Sequence, residues 1–215
     1  KISQYTAITT LANGDLLDVS QDTGAATFAT KSISYADLLT QLQAAITGTA
    51  TLYGLYAQTV VSATVTNTTT ETSIVGSGVG SLTVPPNTFL RGDSYHAKIG
   101  GVISAQNGDD ITINIKTGAT VLATTGAISL SPVTALGWEL ELDFTIASLT
   151  ATGSICTNGN FAYNRDTGSL EGFVFQDVQT IDTTISNTLD ITVTWGQTKT
   201  QDQIYSANFV LYKTY

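Results

Sequence analysis

Apolar and polar side chains alternate with a period of two in many segments of the chain after residue 58. Strict alternation places one face of a strand against a core and the other face in solvent, which is typical of antiparallel sheets. The clearest alternating segments are 58–66, 81–84, 111–116, 139–144 and 189–195, and clusters of turn-forming residues lie at 85–87, 107–109, 158–160 and 166–168. We therefore predict a mainly β fold of eight to eleven short strands, an antiparallel, jelly-roll-like β-sandwich.

The N-terminal part of the chain follows a different pattern. Two short strand-like segments, 16–20 and 26–32, flank a turn and predict a hairpin. Ser34 then stands immediately before a run of helical period, and Asp37 follows it at the spacing of a capping box. The pattern predicts one helix, over residues 34–46, and we expect it to be the only substantial helix of the chain.

The apolar positions of this helix fall on one face. Leu38, Leu39, Leu42 and Ile46 recur at intervals of three and four residues. Because a helix of about a dozen residues is marginal alone, it needs partners to bury that face, and closed cyclic symmetry is the expected solution. We expect these four residues to form the oligomerisation face of a homotrimer. The chain is thus divided into an attachment and oligomerisation module at 1–48, a connector at 49–57 and a sandwich head at 58–215.

Composition narrows the classes of function. The 215 residues include 8 Lys and Arg against 17 Asp and Glu, and only 12% of residues are charged. A net charge of −9 disfavours binding to nucleic acids or anionic membranes, which requires a basic surface. No apolar run approaches the roughly 20 residues that cross a bilayer. One Cys and one His exclude an intramolecular disulfide and a thiolate or imidazole metal cluster, so we expect no cofactor and no metal.

Three isolated motifs have ordinary structural interpretations. Arg91-Gly92-Asp93 matches an integrin-binding tripeptide, but we interpret it as a turn in which Asp93 satisfies a backbone amide. His96 and Cys156 are sixty residues apart, and no third group in the sequence orients them as a catalytic pair. We expect His96 to be a strand residue and Cys156 to be a small apolar core residue.

The carboxylates also fit structural roles. Asp109-Asp110 could offer oxygen ligands to Ca²⁺, but one loop with two adjacent carboxylates provides too few of them, and we interpret it as a hairpin turn. Glu139, Glu141 and Asp143 alternate along one strand and share a face, whereas glycoside hydrolysis needs two carboxylates across a cleft. We interpret the three as solvating groups that discourage edge pairing, and we expect no enzymatic activity.

Two parts of the chain resemble virion proteins. Residues 2–19 and 30–38 resemble the N-terminal modules of bacteriophage tail fibres, in which a G-D-x-L-x-V strand and a K-x-(I/V)-(S/T)-x-x-D-L helix start precede the fibre body. Residues 76–89, with 92–95 and 187–196, are similar to β-sandwich heads at the ends of viral fibres and spikes. The resemblance implies particle attachment through the N-terminal module and a homotrimer. No collagen-like or long coiled-coil shaft lies between the two parts.

These observations together predict a virion structural protein, a fibre or spike subunit that mediates attachment to the host surface. Its expected partners are further copies of itself, other virion structural proteins through the N-terminal module, and a host-surface glycan or protein. One alternative is a capsid-decorating or baseplate subunit without receptor binding. Another is a carbohydrate-binding adhesin or glycan depolymerase on a β-sandwich. Any exposed Tyr or Trp could form a stacking platform for sugars, whereas a depolymerase would need two facing carboxylates in a cleft.

Overall fold

A computed structural model describes residues 16–22, 28–34, 36–38 and 54–215 of the chain. The chain divides into two compact units, Lys1–Thr51 and Leu52–Tyr215. Each unit has its own antiparallel β-structure, which follows the change of pattern seen along the sequence.

The first unit contains the predicted hairpin. Strand β1 (Leu16–Asp22) pairs antiparallel with β2 (Phe28–Ser34) over seven residue pairs. Residues 36–38 are helical. The backbone N–H of Asp37 donates to Ser34 Oγ at 3.1 Å, and Ser34 Oγ donates to Asp37 Oδ2 at 2.6 Å. The hairpin and the capped start of the helix are therefore confirmed, and the cap satisfies one of the free amides of the first turn.

The expected oligomerisation face lies mostly beyond the described residues. Leu38 is helical and half-buried. Leu39, Leu42 and Ile46 lie outside the described residues, so their role in assembly stays a prediction. In the described parts of the chain, no helix has both the length and the apolar character needed to cross a membrane.

Residues 54–215 of the second unit form thirteen strands. They are β3 (Tyr56–Gln58), β4 (Val65–Thr66), β5 (Thr72–Ser73), β6 (Gly78–Gly80), β7 (Thr83–Val84), β8 (Ser94–Ala105), β9 (Asp109–Thr117), β10 (Thr120–Leu130), β11 (Val133–Ser148), β12 (Gly153–Asn164), β13 (Leu170–Ile181), β14 (Asn187–Trp195) and β15 (Gln203–Lys213). The eight strands from β8 to β15 span nine residues or more, so they are longer than the alternation predicted.

The strands form two antiparallel sheets packed face to face. The large sheet has the order β13-β12-β11-β8-β15-β3-β6, with β4 also pairing with β15. The small sheet has the order β10-β9-β14-β5, with β7 also pairing with β14. Both sheets contribute to one apolar core, which includes Ile99, Ile103, Leu140 and Leu142 of the large sheet and Ile111, Ile113, Ile115, Ile191 and Val193 of the small one. The predicted mainly β, antiparallel sandwich is confirmed, while the jelly-roll strand order stays a prediction.

Aromatic residues fill the centre of this core. Phe161, Tyr163, Trp195 and Phe209 are fully buried, as the alternation around them predicts. The indole Nε1 of Trp195 donates to the carbonyl of Val65 at 3.2 Å, so its polar group is satisfied inside the core.

The segment 58–66 does not form the single strand that its alternation predicts. Strand β3 ends at Gln58, and β4 begins only at Val65. Between them, the Ser62 N–H donates to the carbonyl of Ser206 at 3.0 Å, and Ser62 Oγ accepts from the Ser206 N–H at 2.9 Å. The segment therefore bonds to an irregular point of β15 instead of forming a continuous ladder.

The cluster 158–160 was predicted as a turn, and this prediction is wrong. It lies in the middle of β12, where Gly159 pairs with Phe175 of β13. A Cβ atom on residue 159 would overlap the Phe175 ring, so the glycine makes room for an aromatic side chain. By contrast, the turns predicted at 107–109 and 166–168 are confirmed, and their glycines have positive φ angles of 79° and 81°.

Candidate functional site

The solvent-facing side of the large sheet brings together charged residues of two neighbouring strands. Glu139, Glu141 and Asp143 of β11 share this face, as predicted from their spacing. In the ladder with β8, Glu141 lies opposite Lys98 and Asp143 lies opposite His96. Cross-strand pairing thus supplies each of these two carboxylates with a basic partner, which the sequence alone does not reveal.

Lys98 is held by two carboxylates. Its Nζ lies 2.8 Å from Glu141 Oε1 and 3.0 Å from Glu139 Oε2. The hydrogen bond to Glu141, followed by that to Glu139, raises the pKa of Lys98 to about 12, and the same contact lowers the pKa of Glu141. Exposed ion pairs of this kind contribute little to stability, so the main effect is to fix the positions of the three side chains.

His96 forms a second pair on this face. Its Nδ1 lies 2.9 Å from Asp143 Oδ1, and its ring centroid lies 5.1 Å from that of Tyr212 on β15. The prediction that His96 is a strand residue is confirmed. Cys156 is a half-buried residue of β12 opposite Thr145, and not the core residue that was expected. Because β11 lies between the strands of Cys156 and His96, these two residues do not form a catalytic pair.

A pocket opens on the same face where β8, β11 and β15 meet. Its volume is about 300 Å³. The pocket exists because β15 contains a bulge: Ser206 lies opposite Gly101 and Asn208 lies opposite Gly100, which leaves Ala207 as an extra residue. The lining residues are Lys98, Gly100, Gly101, Trp138, Glu139, Ala207 and Asn208.

Gly100 of β8 keeps this pocket open. A Cβ atom on Gly100 would lie 2.8 Å from the carbonyl oxygen of Trp138 and 3.3 Å from Asn208 Oδ1, so any side chain there would occupy the space. Trp138 is buried, and its Nε1 donates to the carbonyl of Tyr205 at 3.1 Å. The ammonium of Lys98, the carboxylate of Glu139 and the amide of Asn208 are the polar groups at the rim.

A second cluster consists of two buried carboxyl groups and one amine. The side chains of Asp109 and Asp202 are next to each other, and the residues are only 2% and 1% exposed. Lys199 Nζ forms an ion pair with Asp109, which also accepts from the Gln106 N–H at 3.2 Å. Both oxygens of Asp202 lack a hydrogen-bond donor within residues 54–215. Ionised carboxylates only accept hydrogen bonds, so the two groups can bond to each other only when one holds a proton.

The pKa values of this pair are displaced in opposite directions. Burial, followed by the nearby Asp109, raises the pKa of Asp202 to about 6. Burial alone would also raise the pKa of Asp109, but the hydrogen bonds it accepts, that from Lys199 first, hold it below its ordinary value. Such a split is expected for two carboxyl groups that share one proton.

The calcium interpretation of Asp109-Asp110 has no support in the geometry. Asp109 is buried against Lys199, whereas Asp110 is exposed, so the two carboxylates do not converge. Across the described ranges, no group of three or more His, Cys, Asp or Glu side chains is placed to hold a metal ion.

The Arg91-Gly92-Asp93 tripeptide forms the turn predicted for it. Asp93 is only 5% exposed, and Lys213 Nζ lies 2.6 Å from its Oδ1. Its Oδ2 accepts from the Leu90 N–H at 2.9 Å and from the Tyr95 hydroxyl at 3.2 Å. The carboxylate that an integrin would need is therefore already engaged inside the protein.

Comparisons of the chain with models of protein families and with curated proteins found no match.

Proposed function

We propose that the chain is a structural subunit of a viral particle, of the fibre or spike type. In this proposal the first unit attaches the chain to the particle and to further copies of itself, and the sandwich faces the host. The observation that carries the proposal is the division of the chain into two compact units, Lys1–Thr51 and Leu52–Tyr215. This division separates the part that resembles particle-attachment modules from the part that resembles fibre heads.

The first unit offers features suited to assembly. It combines a hairpin with a capped helix start, and the helical spacing of Leu38, Leu39, Leu42 and Ile46 would supply an apolar face to partner copies. A homotrimer would bury three such faces around one axis. It would also present three sandwiches together, so that weak contacts with a host surface add up through avidity.

The second unit suits an exposed position on a virion. Its core is built from apolar side chains of both sheets, and the ion pairs on the solvent-facing side of the large sheet are exposed. Stability that rests on apolar burial depends little on salt, which suits a particle that meets variable ionic conditions. The carboxylates Glu139, Glu141 and Asp143 lie side by side on an open face and not across a cleft. We therefore assign the chain a role in binding and assembly, and not in catalysis.

The proposal predicts which part of the chain is needed for incorporation. Deleting residues 1–51 from the gene should give a sandwich that folds but is absent from purified particles, as measured by immunoblotting of particles and of cell lysate. Full-length protein with Asn158→Ala, an exposed change in the second unit away from the pocket, is the control and should be incorporated normally. Normal incorporation of the truncated chain would overturn the attachment role of the first unit. If neither form enters particles, the chain is not a virion protein.

A further inference from the structure

We propose that the pocket at the β15 bulge binds a neutral, polyhydroxylated ligand, such as an uncharged hexose unit of a surface glycan. This inference deepens the proposed function and rests on it for the source of the ligand, the host surface. It concerns the site bounded by Lys98, Gly100, Glu139 and Asn208.

The shape of the pocket is the first reason. The extra residue Ala207 moves β15 out of register, and Gly100 contributes no side chain, so a hollow forms between the two strands. Pockets for small molecules span about 300–1,000 Å³. At about 300 Å³, this pocket lies at the lower end of that range and has room for one or two sugar rings.

The polar groups at the rim are the second reason. The exposed amide of Asn208 offers both donors and an acceptor, and its side chain makes no hydrogen bond within residues 54–215. Glu139 uses Oε2 for Lys98, which leaves Oε1 as an open acceptor in that same part of the chain. A sugar hydroxyl both donates and accepts, so it can bond to an amide and a carboxylate that point into one space.

The electrostatics of the rim disfavour an anionic ligand. Lys98 is paired with Glu139 and Glu141, so the three groups together carry one net negative charge. The whole chain carries −9, which disfavours sulfated, phosphorylated or sialylated ligands. Since Lys98 already holds Glu139 in place, the carboxylate is ordered before a ligand arrives, which reduces the entropic cost of binding.

The experiment uses the full-length protein and a panel of neutral oligosaccharides of glucose, galactose and mannose, with sialylated oligosaccharides as the charged comparison. Saturation-transfer NMR detects weak binding, and titration calorimetry gives Kd for the best ligand. We expect millimolar binding of at least one neutral oligosaccharide. Asn208→Ala and Glu139→Ala should each weaken it by about tenfold or more, because each removes a hydrogen bond at the rim.

Two further variants keep the test specific to the pocket. Ala207→Leu places a larger side chain into the pocket and should abolish binding while thermal unfolding stays close to that of the original protein. Asn158→Ala, an exposed change of the same type on β12, should leave binding unchanged. Binding of neutral sugars that is lost in the pocket variants and kept in Asn158→Ala supports the proposal.

Three results would overturn it: no binding of any neutral oligosaccharide, a preference for the sialylated ones, or equal loss of binding in Asn158→Ala. Failure of this proposal is separate from failure of the proposed function, because incorporation into particles is measured independently. If sugars bind at the pocket and the chain lacking residues 1–51 is incorporated normally, the attachment role is refuted but the binding-site proposal still holds.

Discussion

Asp202 is the residue whose protonation most directly makes the stability of the fold depend on pH. It lies just before β15 of the large sheet, next to Asp109, which is the first residue of β9 in the small sheet. Lys199 supplies a single positive charge to the pair. Above the pKa of Asp202, about 6, two buried carboxylates share that one cation, whereas below it a protonated Asp202 can donate to Asp109.

The direction of the pH effect follows from this raised pKa. A pKa above the value of the unfolded chain means that the folded protein binds a proton more tightly, so the stability due to Asp202 is greatest at low pH. That stability is fully present below the ordinary aspartate pKa of about 3.9 and is lost as the pH rises through about 6. Glu71 acts in the opposite sense, since hydrogen bonds from Lys116, Asn114 and Thr192 lower its pKa to about 2. Glu71 stays ionised above about pH 5, so it does not contribute to the pH dependence of stability measured in that range.

We predict that Asp202→Asn stabilises the protein at neutral pH. The amide cannot ionise and can donate to Asp109, so the variant should exceed the original protein by about 1–3 kcal/mol near pH 7.5. The gain should shrink as the pH falls towards 5. Urea unfolding across this range measures the difference, and Asp110→Asn, which changes the exposed neighbour of Asp109, is the matched control. A free energy of unfolding in Asp202→Asn that follows the same pH dependence as the original protein would show that Asp202 is not the titrating group.

At the scale of elements, β12 and β13 show how one glycine organises a strand pair. Phe175 lies directly opposite Gly159, and its ring occupies the space that a Cβ on residue 159 would need. The ring is half-buried at the rim of the core. Because β13 has no further strand beyond it among the described residues, this contact helps to cover the edge of the sandwich.

Replacing Gly159 by Ala should therefore destabilise the sandwich by about 1–3 kcal/mol, the usual cost of overpacking a core position. The matched control is Gly172→Ala on β13, where a Cβ would meet its nearest neighbour, Asn160 Oδ1, at 3.7 Å. This change should be neutral or slightly stabilising, since it mainly removes freedom from the unfolded chain. Urea unfolding measures the free energy of unfolding of both variants. Equal values for Gly159→Ala and Gly172→Ala would show that the position of the Phe175 ring does not require a glycine at residue 159.

Local periodicity identified three of the long strands but not how the strands combine. The alternating runs 111–116, 139–144 and 189–195 all lie in strands, because burial of one face imposes a period of two. The cluster 158–160 has the composition of a hairpin turn, and only the ring that covers Gly159 from the next strand explains why it is not one. Local sequence carries no information about that ring.

The candidate site was harder to predict for the same reason. The sequence showed that Glu139 shares a face with other carboxylates, but not that Lys98, 41 residues earlier, lies within reach of it. The pocket needs the bulge at Ala207 beside Gly100, and nothing in the local sequence of either strand indicates that they are neighbours. Register between distant strands is a property of the whole sheet, so these features became visible only in the fold.

At the scale of the whole molecule, the chain divides into two compact units, Lys1–Thr51 and Leu52–Tyr215. The second unit contains both sheets of the sandwich and the apolar core between them. A domain needs such a core of its own in order to fold alone. The first unit contains a hairpin and a capped helix start, and the spacing of the leucines that follow predicts an apolar helix face. Assembly through the first unit is therefore the claim on which the proposed function depends.

The most direct test of this claim is the absolute mass of the full-length protein in solution, measured by light scattering on a size-exclusion column. We predict three times the 22.5 kDa of one chain. The double variant Leu39→Asp with Leu42→Asp should fall to the mass of one chain while the circular dichroism of the sandwich is unchanged. A full-length protein that is monomeric at 22.5 kDa, or a double variant that stays trimeric, would contradict assembly through this helix.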